Sequence, residues 1–483
     1  MNGWITTTLI LLPMGGAIAL FLAPLPRIAI GPLAFLLALF EVGFWITGVF
    51  RFDFGSGTLQ LANHQSWFRD LGVSYHTGFY GFGLWLAGMT VVVMAAAIGY
   101  AVWAGRDRPR AYFGLMLFLT GATVGVFAAQ DLLLFYVFWE AMLIPLYILI
   151  GVWGGAGRMG ATLKFVIYTM AGSLLMLAAI VVYGISQGTF DLLELKASGS
   201  TWIFLGFLAA FAVKAPIFPL HGWLPDAYRE SPPEVAAVLS GVISKAAVYG
   251  LLRILVIDFP HPTHELRVPI LCFAAIGLVY GSLLAFRAPD LRGVIAYSSL
   301  AQLGLITIGI FATDLAGLNG AILQMVNHGL ISATLFLLAG SVERRTSTGQ
   351  LRRLGGMAKG RPALATMLMT IGVIALAVPG STAFAGEFMI LAGVFPVGWG
   401  WSVVGAVAIV LAAMYMLRLI SAVLHQSPGP AVSESALDLR PAELGILVPL
   451  VACLLVLSAW PAAITDRTFG VPQNFPGLAQ LVR

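Results

Sequence analysis

Five titratable side chains stand inside long apolar runs of this sequence: Glu140, Lys214, Lys245, His328 and Glu387. A charge at the middle of a membrane helix costs about 2.5–3.5 kcal/mol on insertion scales, so such residues call for pairing, hydration or function. One reading is structural, with ion pairs orienting helices. The other is a relay that passes protons. A relay needs groups that exchange protons near neutral pH, and a lysine at its ordinary pKa of about 10.4 holds its proton too tightly. Burial disfavours the ammonium and a nearby carboxylate favours it, so a carboxylate that shifts position switches a lysine between loading and release. Glu140 with Lys214 is the candidate switch pair. His328 suits the middle of such a chain, because imidazole takes up and gives up protons near neutral pH, and water bridges the longer gaps.

The elements that must hold these residues are membrane helices. Of 483 residues, 59% are hydrophobic and 10% charged, and the mean hydropathy is +0.94, so polar side chains are too few to cover a soluble globule. Unbroken apolar runs such as Leu132 to Ile150 argue against the alternating strands of a membrane barrel. An all-α polytopic membrane protein is expected, with about 14 spans of about 20 residues. Candidate spans lie near 5–23, 29–50, 80–104, 112–128, 131–153, 164–186, 201–219, 235–257, 268–286, 294–311, 317–341, 363–395, 399–424 and 442–462. The first run lacks a basic leader and a small-residue cleavage site, so it reads as a retained helix. Two spans are expected to be broken, one at Pro216 and Pro219 just after Lys214, the other from Pro379 to Thr382. Proline frees carbonyls in mid-membrane, and discontinuous helices line ion paths in transporters.

Most of the 26 lysines and arginines fall in alternate loops, including Arg106, Arg108, Arg110, Arg158, Arg229, Arg292 and the run from Arg344 to Arg361. The positive-inside rule puts those loops in the cytoplasm and both termini on the other side. Cys272 and Cys453 stand alone in separate apolar stretches, too few for a disulfide framework or a cysteine-ligated iron–sulfur cluster. Gly155 to Gly160 fits a G-x-G-x-x-G pattern but joins two membrane helices without the preceding strand, so no dinucleotide is expected there. The histidines show no i, i+4 pair inside a span, and no metal site is expected.

Three stretches around the titratable residues, Asp131-Leu-Leu-Leu-Phe-Tyr-Val-Phe-Trp-Glu140, Lys214-Ala-Pro-Ile-Phe-Pro-Leu-His221-Gly-Trp-Leu-Pro-Asp226 and Ala296-Tyr-Ser-Ser299, closely resemble the antiporter-like subunits of respiratory complex I. Gly386-Glu387-Phe-Met-Ile-Leu391 resembles the subunit M (subunit 4) family of NADH:quinone oxidoreductase, whose broken twelfth helix carries glutamate where the L and N families carry lysine. The absence of a long lateral helix after the last span points the same way. The resemblance, which covers nearly the whole chain, implies helices 1–3 in residues 1–110, inverted five-helix repeats in 111–260 and 261–425, and a last helix and tail in 426–483. It implies a non-redox translocase subunit that pumps protons, driven by quinone reduction elsewhere in the complex. Glu140, Lys214, Lys245, His328 and Glu387 match the relay positions, with His221 and Gln302 in support. It further implies no cofactor in this chain, with FMN, iron–sulfur clusters and quinone in partner subunits. The implied partners are the L and N subunits, small membrane subunits and the lipid bilayer of a bacterial plasma membrane, with no nucleic acid.

Three positions depart from the family pattern. Ser231 to Ala237 reads Ser-Pro-Pro-Glu-Val-Ala-Ala, Gln302 stands where a tenth-helix histidine is often found, and Tyr80 occupies an acidic position. Glutamine does not titrate, so a relay passing Gln302 would use hydrogen-bonded water. Rival readings are a subunit of a multisubunit cation/proton antiporter, the membrane arm of a ferredoxin- or hydrogenase-linked complex, and a passive scaffold.

Overall fold

Lipid offers no hydrogen bonds, so an apolar segment that crosses it must satisfy its backbone within itself, which a helix does. The computed structural model describes residues 2–433 and 435–470. Among them, twelve helices are long and apolar enough to cross a membrane, from Trp4–Leu22 to Pro441–Ala459, and the chain is a helical, polytopic membrane protein. Three shorter apolar helices, Thr201–Lys214, Pro362–Ala375 and Thr382–Val394, border the two expected breaks. The tail expected beyond residue 470 lies outside the described residues.

Burial sorts the helices into a centre and a rim. Gly81–Ala104, Pro233–Val256, Leu291–Phe311 and Leu315–Thr346 are almost wholly enclosed, whereas Arg27–Arg51 and Arg158–Gln187 present broad apolar faces outward. Polar groups in mid-membrane are costly, and in the centre they find one another. Leu315–Thr346, at 32 residues, spans about 48 Å at 1.5 Å per residue. It starts where Asp314 accepts the Ala316 N–H at 2.9 Å and ends on Arg344 and Arg345, whose charge suits the negative end of a helix dipole.

One element lies outside the helical expectation. Gln60–Phe68 and Val73–Phe79 form an antiparallel hairpin, which no hydropathy reading finds because its polar residues lie between spans. The hairpin is pinned to the ends of neighbouring helices by a bridge between Thr77 and Ala129, and Asp131 in turn bridges to Asp191.

At the other end, the arginines of the basic loops meet carboxylates. Arg292 holds Glu343 at 2.5 Å, Arg229 holds Asp290 at 3.0 Å and Arg345 holds Glu443 at 2.7 Å. The departure at Ser231 to Ala237 has its reason here. Glu234, fully buried, accepts Arg106 Nε at 2.6 Å and Nη2 at 2.7 Å, and the Tyr112 hydroxyl at 2.5 Å. Breaking a buried pair strands the surviving charge and costs about 3–5 kcal/mol. Glu234→Ala is expected to fall at the low end, about 3 kcal/mol, because Arg106 keeps some exposure. Thermal unfolding of the purified protein checks this, with Glu234→Gln losing less because it can still bond Tyr112.

The helix Pro362–Ala375 is capped from a distant segment. Asp438 accepts the N–H groups of Ala363 at 2.8 Å and Leu364 at 2.9 Å, and that of Leu439 at 2.7 Å. Burial alone would raise its pKa, but these donors and Arg345 outweigh it and hold the carboxyl below its usual range. A depressed folded pKa contributes stability that is complete above the unfolded value of about 3.9 and is lost as pH falls through the folded value. Protection of the Ala363 and Leu364 amides from hydrogen exchange is therefore expected to persist to about pH 4 and fade below it. In Asp438→Ala that protection is reduced by about 1 kcal/mol above about pH 4, and the difference from wild type shrinks below it.

Candidate functional site

The site is built from two helix breaks and the enclosed helices between them. Thr201–Lys214 ends at Lys214, and the carbonyl freed at Val213 accepts Trp223 Nε1 at 2.9 Å. The second break runs from Leu376 to Ser381, where Ser381 caps Thr382–Val394 through the Phe384 N–H at 3.2 Å. Asn327 staples this break to the long central helix, donating to the Thr382 carbonyl at 2.8 Å and accepting the Thr382 hydroxyl at 2.8 Å.

Lys245 and His328, 83 residues apart in sequence, are in direct contact. Lys245 Nζ lies 2.7 Å from His328 Nδ1, 2.6 Å from the Ser240 carbonyl and 3.3 Å from Ser244 Oγ. An ammonium has three donors, and all three find acceptors with no carboxylate among them. Glycines make the approach possible: a Cβ on Gly241 would come within 2.8 Å of the Gly329 carbonyl. The helix also widens to a π-type turn over Leu239–Ile243, the kind of irregularity often found at functional sites.

On the far side of His328 a cavity of about 20 Å³ is lined by His328, Ser298, Ser332, Gln302, Gln324 and Glu387, with Tyr415 and apolar neighbours. That is room for about one water. His328 Nε2 and Glu387 Oε2 are both buried without a hydrogen-bond partner among the described residues. Glu387 Oε1 accepts Gln302 Nε2 at 2.9 Å, and Gln302 Oε1 accepts Gln324 Nε2 at 2.9 Å. Ser240, Ser299 and Ser332 join hydroxyls beside this line, at 2.7 Å and 2.5 Å from Ser240, which gives the Ala296 to Ser299 stretch a concrete place.

The first half of the expected chain is arranged differently. Lys214 Nζ rests 3.8 Å from the centroid of the Trp139 ring and donates to the Trp139 carbonyl at 3.4 Å. Glu140, half-buried near the end of Leu132–Ala141, follows Trp139 in sequence but forms no ion pair with Lys214 within 4.0 Å among the described residues. The cation is held by the aromatic face instead. His221, at the break, stacks on Phe218 with ring centroids 5.6 Å apart, and its Nδ1 is buried without a hydrogen-bond partner among the described residues. No direct hydrogen bond joins Lys214 to Lys245 among the described residues.

Sequence reasoning missed several groups. Gln324 and Asn327 are polar residues inside an expected span, Gln324 one turn before His328 on its own helix and Asn327 immediately before it. Arg253, buried at the end of Pro233–Val256, bonds Gln130 Oε1 at 3.1 Å and pairs with Asp258 at 3.6 Å. Glu41 is 1% exposed in Arg27–Arg51, and neither carboxylate oxygen has a hydrogen-bond partner among the described residues. The signal for each was the same as for Lys245: a polar side chain alone in an apolar run.

Comparison with known proteins fits this geometry. A family model described as NADH:quinone oxidoreductase/Mrp antiporter, TM, matches residues 129–412, a range holding all five titratable positions. The NADH-quinone oxidoreductase subunit M of Rhodobacter capsulatus is 36% identical over 436 residues, 86% of this chain and 84% of that one. A chain of respiratory complex I from Thermus thermophilus, solved with bound NADH, superposes with a TM-score of 0.89 at 29% identity, over 99% of this chain and 100% of that chain. A chain of the Mrp complex from a Dietzia species superposes at 0.88 with 20% identity, over 100% and 99%, which speaks for the fold. The chain belongs to the family of antiporter-like membrane subunits shared by NADH:quinone oxidoreductases and Mrp antiporters, and its curated relatives here are subunit M and chain 4 proteins.

Proposed function

We propose that this chain is a proton-translocating subunit of NADH:quinone oxidoreductase that carries no redox centre of its own. The observation that carries the reading is the buried polar line from Lys245 through His328 and across a water-sized cavity to Glu387. With Lys245 protonated, its ammonium donates to His328 Nδ1, and the neutral imidazole carries its proton on Nε2. Transfer from Nζ to Nδ1, with release of the Nε2 proton into the cavity, moves one proton one step toward Glu387. Gln302 orients the carboxylate through Oε1 and leaves Oε2 to receive the proton. FMN, iron–sulfur clusters and quinone belong to partner subunits in this reading, and the arginine-rich end faces the cytoplasm of a bacterium. Each of the two interrupted segments crosses the membrane once.

Lys214 and Glu140 supply the input. A carboxylate approaching Lys214 would draw it off the Trp139 ring and favour its charged form. Glu140→Gln keeps the shape without that charge, and the expected result is a lower proton-to-electron ratio with unchanged assembly. An unchanged ratio in that variant removes the switch. The function itself is tested on the complex isolated through a tag on this chain and reconstituted in liposomes with a pH-sensitive dye. NADH-driven quinone reduction coupled to a pH gradient supports the reading. Cation/proton exchange without NADH activity would favour the antiporter reading, which the likeness to an Mrp chain motivates.

A further inference from the structure

We propose that His64, His76 and Asp191 form a binding site for a divalent transition metal ion, with zinc the best match. Nothing in the spacing of the histidines announces this, because they lie twelve residues apart. The strand register sets them directly opposite each other across the hairpin, with ring centroids 4.5 Å apart. Both rings turn to one oxygen of Asp191, which arrives from the loop after Arg158–Gln187. His76 Nδ1 is 2.6 Å and His64 Nε2 3.9 Å from Oδ2.

The three donor atoms lie within 4.8 Å of one another. Zinc takes nitrogen and oxygen at about 2.0–2.2 Å in a tetrahedron, which sets ligand atoms about 3.3 Å apart. The observed separations bracket that value. The side chain that must move is His64, which is 56% exposed, whereas His76 and Asp191 are 7% and 6% exposed. Asp191 is already oriented from behind: its Oδ1 accepts the Leu193 N–H at 2.9 Å, which leaves Oδ2 for the ion. Ordering of a ligand by such an outer hydrogen bond is what metal sites require. Two imidazoles and one carboxylate suit zinc, copper or nickel, not calcium or magnesium with their preference for oxygen. The exposed side of His64 leaves the fourth position open to solvent.

The site ties together segments that matter elsewhere in the molecule. The His76 carbonyl accepts the Gln130 N–H at 2.8 Å, and the Gln130 carbonyl accepts the Leu192 N–H at 2.8 Å. Asp131, next to Gln130, accepts the Ser74 N–H at 3.0 Å and caps Leu132–Ala141, the helix that carries Glu140, through the N–H groups of Leu133 and Leu134. An ion at the three ligands fixes the hairpin to the start of that helix.

The test uses the intact membrane assembly isolated through a tag on this chain, stripped with a chelator, equilibrated with zinc alone and passed through a desalting column. Metal per complex is then counted by mass spectrometry. The wild-type assembly is expected to retain one more zinc than His64→Ala, a variant that leaves the His76–Asp191 hydrogen bond in place. Asp191→Asn, close to Asp191 in shape, is expected to lose the same ion, with retention weakened at least about tenfold. Equal zinc content in wild type and His64→Ala overturns the site.

Discussion

Lys245→Ala is expected to abolish coupled proton translocation in a complex that still assembles and still oxidises NADH. The argument rests on what surrounds the ammonium. Its three donors meet a backbone carbonyl, a serine hydroxyl and an imidazole, so no carboxylate fixes it as half of a structural ion pair. Alanine removes the group that loads His328 and takes away the donor to His328 Nδ1, while the Ser240 carbonyl keeps the Ser244 hydroxyl at 2.8 Å. It also leaves a void in an enclosed helix, which costs about 2–5 kcal/mol for large aliphatic side chains cut to alanine. Lys245→Met therefore serves as the volume-keeping control and is expected to be equally inactive. Lys245→Arg separates the two roles. Guanidinium keeps the positive charge but does not release its proton at physiological pH, so a structural cation would be rescued and a relay member would not. The measurement is dye-reported acidification of liposomes beside NADH-driven quinone reduction. Normal pumping by a correctly assembled Lys245→Ala or Lys245→Arg variant would remove the residue from the relay.

The membrane character and both helix breaks were legible because each is a local property. Apolar runs mark helices wherever they occur, and the paired prolines after Lys214 and the Pro379-Gly380 step each interrupt a helix, whereas the single Pro13, Pro32 and Pro449 stay inside theirs. The titratable positions were legible for the same reason, as polar residues in apolar sequence. Their pairing was not. Which lysine meets which acceptor depends on where helices cross, and the contact of Lys245 with His328 is set by the close approach at Gly241 and Gly329. Lys214 shows the opposite outcome. Opposite charge in apolar sequence suggested a pair with Glu140, but Trp139, the residue before Glu140, offers an aromatic face that holds the cation at 3.8 Å.

Gln302 shows a further limit of reading one position at a time. As a substitute for histidine it looked like a gap in a titrating chain. In the structure its amide is committed at both ends, to Gln324 through the oxygen and to Glu387 through the nitrogen. Two side-chain amides thus orient one carboxylate, and in the proposed relay the titrating groups are His328 and Glu387, which both line the cavity. The hairpin was illegible for a different reason: its strands are held by tertiary contacts at Ala129 and Asp191 that lie far away in sequence.

Glu387→Gln is the sharper probe of the far end, because it changes protonation and almost nothing else. The variant amide can present its oxygen to Gln302 Nε2, as Glu387 Oε1 does at 2.9 Å, and turn its NH₂ group to the cavity. Shape, volume and the hydrogen bond from Gln302 are kept, so assembly and quinone reduction are expected to stay near wild type. An amide does not take up a proton at physiological pH, so a proton released from His328 Nε2 has no carboxylate to reach. Raising that step by only about 1.4 kcal/mol would slow it tenfold, and removing the acceptor is expected to do more, leaving pumping below about a tenth of the wild-type rate. Glu387→Asp sets the complementary limit. It keeps the carboxyl but draws it back by one methylene, and water can span the added gap, so partial pumping is expected. The ordering of wild type above Glu387→Asp above Glu387→Gln in liposome acidification, at equal NADH oxidation, is what a proton acceptor predicts. A purely structural carboxylate predicts instead that the isosteric amide does better than the shortened acid, and that reversed order would overturn the role.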